Sequence, residues 1–143
     1  MFADPTDPRA AVFAAVFVAL YAAHQVGDHW CQTQGQATVK AWPGSAGMWA
    51  CIGHILTYGA TQLAALGALA LVAGLRVSPV ALAVGMAVNL VSHYIADRRT
   101  PLRWLADRLG KDQGWLDNGG GMYALDQSWH YGFLFITALI ITA

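Results

Sequence analysis

A run of 29 residues, from Ala46 to Gly74, contains no Lys, Arg, Asp or Glu. About 20 apolar residues in a helix cross a bilayer, so this run can span one and must tilt or project beyond it. The rest of the chain offers little to bury it with. Charged residues are 11% of the 143 and apolar ones 57%, whereas soluble domains carry about 25% charged residues. A soluble bundle of short, alanine-rich helices is the alternative architecture, but it would lack the charge to cover its surface.

Three other segments share this character, giving predicted spans over 8–27, 46–74, 79–97 and 122–143. Asp7 and Pro8 supply a cap and a first helical residue for the first span, and Ser78 and Pro79 do so for the third. Gly74 ends the second. The polar stretch after span one breaks at Pro43-Gly44. Between spans three and four, Thr100, Pro101 and Gly110 delimit a short helix over 101–110. Its Leu102, Leu105 and Leu109 share one face and Trp104 sits at headgroup level, as in an interfacial amphipathic helix. The following KDQGWLDNGGG reads as a flexible loop. The expected fold is an all-α integral membrane four-helix bundle, one transmembrane domain without internal repeats.

Cys31 and Cys51 flank the first polar stretch. One pair is too little to imply a disulfide framework, and small buried thiols are the ordinary alternative. The first nine residues hold Asp4, Asp7 and a single Arg9, not the basic start of a cleaved signal peptide, so Met1–Ala143 is read as the mature chain. Lys40, Arg98, Arg99, Arg103, Arg108 and Lys111 follow spans one and three, against Arg9 and Arg76 on the opposite side. The positive-inside rule makes the first group cytoplasmic and puts both termini outside a bacterial inner membrane.

That topology gathers the histidines. His24 and His93 lie near the cytoplasmic ends of spans one and three. His54 and His130 lie eight residues into spans two and four, about 12 Å deep at 1.5 Å per residue. Three have an aspartate one helical turn away: His24–Asp28, His93–Asp97 and Asp126–His130. Side chains at i and i+4 share a helix face and can grip one ion, or one can orient the other. Aspartate inside a membrane costs roughly 2.5–3.5 kcal/mol even on the lenient insertion scale. The candidate ligands are therefore His24, Asp28, His54, His93, Asp97, Asp126 and His130. His29 lies about 100° around its helix from Asp28 and is left out. Imidazole with carboxylate suits a divalent metal, zinc first and iron or manganese next. Seven ligands exceed one four-coordinate ion, so two ions share them or some donors stand behind the ligands. Asp28 or Asp126 could act as general base. Arg98, Arg99, Gln32 and Gln127 are candidate substrate contacts, with membrane anchoring the alternative role of the two arginines.

In order along the chain the pattern is His24-Gln-Val-Gly-Asp28 with Gln32, His54, His93-Tyr-Ile-Ala-Asp97, and Asp126-Gln127-Ser-Trp-His130. From about Phe13 onward it resembles an actinobacterial-type family of small four-helix membrane proteins of unknown function. That family is distantly similar to predicted membrane-bound metal-dependent hydrolases, which implies a metal and a lipid or phosphoester substrate. Three other functions compete with a hydrolase. A haem-binding electron carrier would use the histidines axially, but it does not need an aspartate one turn away. An ion transporter or proton relay would want polar residues through the full thickness, which spans two and four lack. A metal-stapled, non-catalytic subunit fits the Gly59 and Gly67 spacing, which permits close helix packing and homo-oligomers. No nucleic acid partner is expected, since the only basic surface is a membrane loop.

Overall fold

Helix boundaries in the computed structural model, which describes residues 7–143, follow local capping chemistry. Residues 1–6, including Asp4, lie outside the described ones. α1 (Arg9–Val26) starts one residue later than expected, with Pro8 at the cap position. Asp7 still accepts the Arg9 backbone N–H at 2.9 Å, and the Arg9 guanidinium holds its carboxyl below the usual value. α3 (Gly44–Ala73) ends at Gly74, whose φ of 69° is the left-handed conformation that glycine adopts without a Cβ penalty. α4 (Pro79–Asp97) has the predicted bounds, with Ser78 Oγ accepting from the Ala81 N–H at 3.4 Å.

α1 does not stop at Gly27 but continues through a π-helical turn, Gly27–Cys31, closed by the Gln32 N–H to Gly27 O bond at 3.0 Å. Such turns are rare and recur at functional sites. Gly27 opens the turn because α3 passes close by. A Cβ there would lie 2.9 Å from Thr61 Oγ1 and 3.0 Å from the Tyr58 ring.

Two expected loops are helical. α2 (Gln34–Val39) carries a reciprocal capping box between Thr33 and Gln36, which satisfies two orphan N–H groups at once. α6 (Gln113–Asn118) replaces the predicted flexible loop: Asp112 accepts the Trp115 N–H at 2.7 Å and Leu116 is buried. Between them, α5 (Thr100–Arg108) begins after Arg99, the one non-glycine residue of positive φ (57°) among those described. Its inner face is Leu102 and Ala106; Leu109, expected on that face, is 65% exposed. Arg103 ties α5 to α6 through Asp117 and Gln113, holding the Asp117 carboxyl below its usual value. Cys31 is exposed, Cys51 is buried, and both are free thiols.

α7 (Gly121–Thr142) packs on α1 and α4, α3 packs on the same two helices, and α5 and α6 lie against α7. The interior has two zones. Val16, Leu20, Leu66, Met86, Leu134, Ala138 and Ile141 form an apolar cluster toward the termini. Beyond it, His24, His54, His93, Asp97, Gln127 and His130 are buried. Among the described residues, three helices are long and apolar enough to cross a membrane: Arg9–Cys31, Gly44–Ala73 and Pro79–Asp97. α7, the expected fourth span, is not among them, because its first half carries Asp126, Gln127, Ser128 and His130. Outward-facing side chains are themselves apolar; Leu71 and Val72 are each 89% exposed.

Gly85 sets the α4–α7 distance. A Cβ there would meet Ile141 Cγ1 at 2.6 Å and Thr137 O at 3.3 Å. Gly85→Ala should destabilise the protein by about 1–3 kcal/mol from overpacking, despite the roughly 1 kcal/mol gain in helix propensity. A lowered midpoint of thermal unfolding checks it.

Candidate metal centre

Four helices deliver the seven predicted ligands to one region. Asp28 comes from the π turn, His24 from the last turn of α1, His54 from α3, His93 and Asp97 from α4, and Asp126 and His130 from α7. Within it, four ligand atoms face one another. His54 Nε2 and His93 Nε2 are 3.1 Å apart. Asp28 Oδ1 lies 3.3 Å from the first and 3.5 Å from the second. Asp97 Oδ2 lies 3.4 Å and 3.3 Å from the same two atoms. A tetrahedral ion with bonds of ~2.0–2.1 Å has donors ~3.3–3.4 Å apart. Each of the five separations is close to that length, and His54, His93 and Asp97 offer ligand atoms that all lie within 4.8 Å of one another, a group that Asp28 does not join.

Hydrogen bonding accounts poorly for this arrangement. Of two facing imidazole Nε2 atoms only one can donate to the other, and Asp28 Oδ1 and Asp97 Oδ2 are buried with no hydrogen-bond partner. Nor is the charge balanced. Lys40 Nζ meets Asp97 Oδ1 at 2.6 Å. Asp28 and Asp126 have no Lys or Arg partner among the described residues. A buried carboxylate without a cation is costly. These buried His and Asp groups could hold a metal ion.

The remaining donors stand beside the four. His24 Nδ1 is 3.5 Å from Asp28 Oδ2, and His130 Nε2 is 3.6 Å from Asp126 Oδ1. Both nitrogens are buried without a hydrogen-bond partner. The His130 ring lies 4.2 Å from the His93 ring and 5.0 Å from the His24 ring, centroid to centroid. His29 lies outside the cluster, exposed, with Nδ1 3.1 Å from Gln25 O.

A chain of side chains orients His24. Gln25 Nε2 donates to the Tyr131 hydroxyl at 2.9 Å, and that hydroxyl donates to Gln127 Oε1 at 3.0 Å. Gln127 Nε2 donates to Asp126 Oδ2 at 3.3 Å, which leaves Oε1 turned to His24 Nε2, also at 3.3 Å. Oε1 can only accept, so Nε2 carries the proton and the Nδ1 lone pair faces Asp28. No comparable acceptor meets Nδ1 of His54 or His93.

The four predicted substrate contacts have different surroundings. Gln127 belongs to the chain just described. Gln32 caps the π turn with a buried, unpartnered Nε2. The Arg98 guanidinium donates to Lys40 O and Trp42 O, both at 2.7 Å, and so pins the connection that carries Lys40. Arg99 lines a groove of about 720 Å³ together with Arg103, Trp104, Asp107, Asp117 and Tyr123.

The sequence pattern does not single out Lys40 or Tyr58 as site residues. Lys40 is distant in sequence and signalled only loop charge. The Tyr58 ring lies 3.9 Å from the His93 ring, centroid to centroid, and its hydroxyl donates to Asn89 Oδ1 at 3.2 Å. Its signal was available: Tyr58 and Gln62 continue the i+4 series from His54 on one face of α3.

These features define an all-helical protein with three helices able to span a membrane and a buried His/Asp cluster able to hold a metal. The chain belongs to the family described as Protein of unknown function (DUF3307), which matches residues 16–143. No curated protein and no solved structure matches it.

Lys40→Met strands Asp97 Oδ1 in the interior. With chelator present it should cost about 3–5 kcal/mol, the usual penalty for removing one partner of a buried pair. Adding Asp97→Asn should recover part of the loss. Chemical unfolding of the two variants and the parent checks both expectations.

Proposed function

We propose that the chain is a membrane-embedded four-helix bundle that binds divalent metal near the cytoplasmic face, and that it hydrolyses a lipid or phosphoester substrate there. The observation that carries the metal is the set of five N/O separations of 3.1–3.5 Å among His54, His93, Asp28 and Asp97. Zinc fits their length and the mixed imidazole–carboxylate set. The membrane setting is supported by the three apolar helices and their exposed aliphatic faces. Trp30, Trp42, Trp49 and Trp104 are exposed toward the end of the cluster, where a headgroup-level aromatic belt would lie. Basic residues concentrate at that same end, which favours the cytoplasmic side of a bacterial inner membrane.

Bound zinc supplies Lewis acidity and lowers the pKa of coordinated water to about 7. The chain's own contribution is to position groups. Asp126, with its side chain 24% exposed, is better placed than Asp28 to take a proton from water arriving from outside. Arg99 has no carboxylate partner among the described residues and is free to meet a phosphate in the groove, whereas Arg103 is held by Asp107 and Asp117. A haem reading gains no support from imidazoles packed 4.2–5.1 Å apart, centroid to centroid. The apolar cluster toward the termini offers no continuous path for an ion.

One observation favours a second reading. The donors around His54 and His93 are protein side chains no more than 9% exposed, and structural zinc sites are closed by protein ligands in this way. In that reading the metal staples the helices and the protein catalyses nothing.

Metal analysis of protein purified in detergent tests the proposal. Stoichiometric zinc, iron or manganese is expected, and it should be lost in the double variant His54→Ala/His93→Ala. Metal-free protein whose thermal stability ignores chelator would sink the reading. Stability that depends on metal, with no hydrolysis across a lipid and phosphoester panel, would favour the staple. Topology has its own check: alkaline phosphatase fused after Ala143 should be active and a fluorescent protein fused there dark.

A further inference from the structure

We infer that the groove between α5, α6 and the start of α7 seats the headgroup of a zwitterionic phospholipid, its phosphate on Arg99 and its ammonium on the acidic pair Asp107 and Asp117. This names the substrate class of the reading above and rests on its membrane setting, but not on the metal.

Arg99 is placed in the groove at a cost. Its φ is 57°, and across it Arg98 O accepts the Thr100 N–H at 2.6 Å. Three-residue turns of positive φ are rare and strained, and glycine would occupy this one more easily than a residue with a Cβ. Nothing inside the protein offsets the strain. The Arg99 side chain is exposed and has no hydrogen-bond or carboxylate partner among the described residues. It lines a cavity of about 720 Å³ instead, together with Asp107 and Asp117.

Charge complementarity selects the occupant. Arg103 lies one turn along α5, its backbone N–H bonded to Arg99 O at 2.9 Å. Its guanidinium serves two carboxylates at once, donating to Asp107 Oδ1 at 3.3 Å and to both oxygens of Asp117. One cation against two anions leaves a surplus negative charge, and Gln113, which also donates to Asp107, is neutral. The groove therefore offers a free cation at Arg99 and an uncompensated anion beside Arg103. The Asp107 and Asp117 side chains are 48% and 52% exposed, open to a second cation. Side chains at i and i+4 stand about 5–6 Å apart, the scale of the two-carbon link between phosphate and amine in phosphoethanolamine. An anionic headgroup such as phosphoglycerol would satisfy Arg99 and be repelled by the acidic pair.

The rim suits the same occupant. Trp104 and Tyr123 line the cavity and are 59% and 61% exposed. Aromatic faces attract ammonium groups, and Trp104 already has the Arg108 guanidinium 5.3 Å from its ring centroid. Trp and Tyr also gather at the headgroup level of a bilayer. Tyr123 stands one turn before Asp126 on α7, so the groove adjoins the partly exposed side of the His/Asp cluster.

The test incubates protein purified in detergent with equimolar phosphatidylethanolamine and phosphatidylglycerol of one chain length. Retained lipid is counted by native mass spectrometry, with and without chelator. Preferential retention of phosphatidylethanolamine is expected under both conditions. Arg99→Gly should weaken it about 10- to 100-fold, the usual effect of losing a hydrogen bond to a charged group, while its thermal unfolding midpoint holds or rises. Arg99→Gln, which keeps the Cβ in the turn, should lose the lipid equally. Asp107→Asn combined with Asp117→Asn should reverse the preference toward phosphatidylglycerol; an unchanged preference overturns the ammonium contact. Phosphatidylglycerol retained as well as phosphatidylethanolamine in the parent, or full retention in Arg99→Gln, overturns the headgroup site and leaves the metal reading standing. Retention lost with chelator overturns seating on Arg99 and the acidic pair. Displacement of the lipid by equimolar free phosphoethanolamine overturns the membrane as the source. Protein that holds the lipid through Arg99 but contains no metal supports the headgroup site and sinks only the metal.

Discussion

Asp97 is the hub on which the cluster end of the molecule depends. It closes α4, and its two oxygens have opposite duties. Oδ1 receives Lys40 at 2.6 Å from the α2–α3 connection, while Oδ2 faces the facing histidines His54 and His93. Arg98, the next residue, holds the backbone of that connection through Lys40 O and Trp42 O. Two consecutive residues thus fix where α4 ends and where Lys40 stands. Gly47 is glycine for the same reason: a Cβ there would fall 1.9 Å from Trp42 O, so the connection lies directly on the first turns of α3.

Burial of this cluster shapes how the helices are made. Carboxylates withdrawn from water must be compensated, and one lysine reaches the interior here. The π turn and the absence of a side chain at Gly27 let α1 lie against Tyr58 and Thr61 of α3 at the level of Asp28. Away from the cluster the demands reverse. Gly85 admits Ile141 and the α4–α7 contact tightens around aliphatic groups. α7 joins both regimes, polar over its first turns and apolar over its last, which is why it has the length of a span without the hydropathy.

Local rules explain which parts were legible in the sequence. Ser78-Pro79 and Gly74 fixed helix ends because a cap needs only neighbours in the chain. The same rules, applied to Thr33-Gln-Gly-Gln36 and Asp112-Gln-Gly-Trp115, would have found α2 and α6; the glycines and polar residues there resembled loop instead. The i+4 pairing pointed to His24, Asp28, His93, Asp97, Asp126 and His130 because each pair lies within one helix. His54 has no such partner, and only its depth relative to the others pointed to it. Lys40 and the π turn were not legible: one depends on a contact 57 residues away, the other on crowding by a neighbouring helix.

The arrangement of donors also constrains what chemistry can occur here. Four donor residues that meet at His54 and His93, three of them 2% exposed or less, describe a place from which the protein itself excludes water. Reaction at such a place would require a ligand to leave. Asp28 is poorly suited to leave, since both of its oxygens face imidazoles, and Asp97 is restrained by Lys40. Asp126 differs: it is partly exposed, pairs with His130 and Gln127, and sits one turn beyond Tyr123 at the rim of the groove that Arg99 lines. Any exchange between the buried cluster and its surroundings is therefore most easily accommodated on the α7 side, where the helix itself is polar.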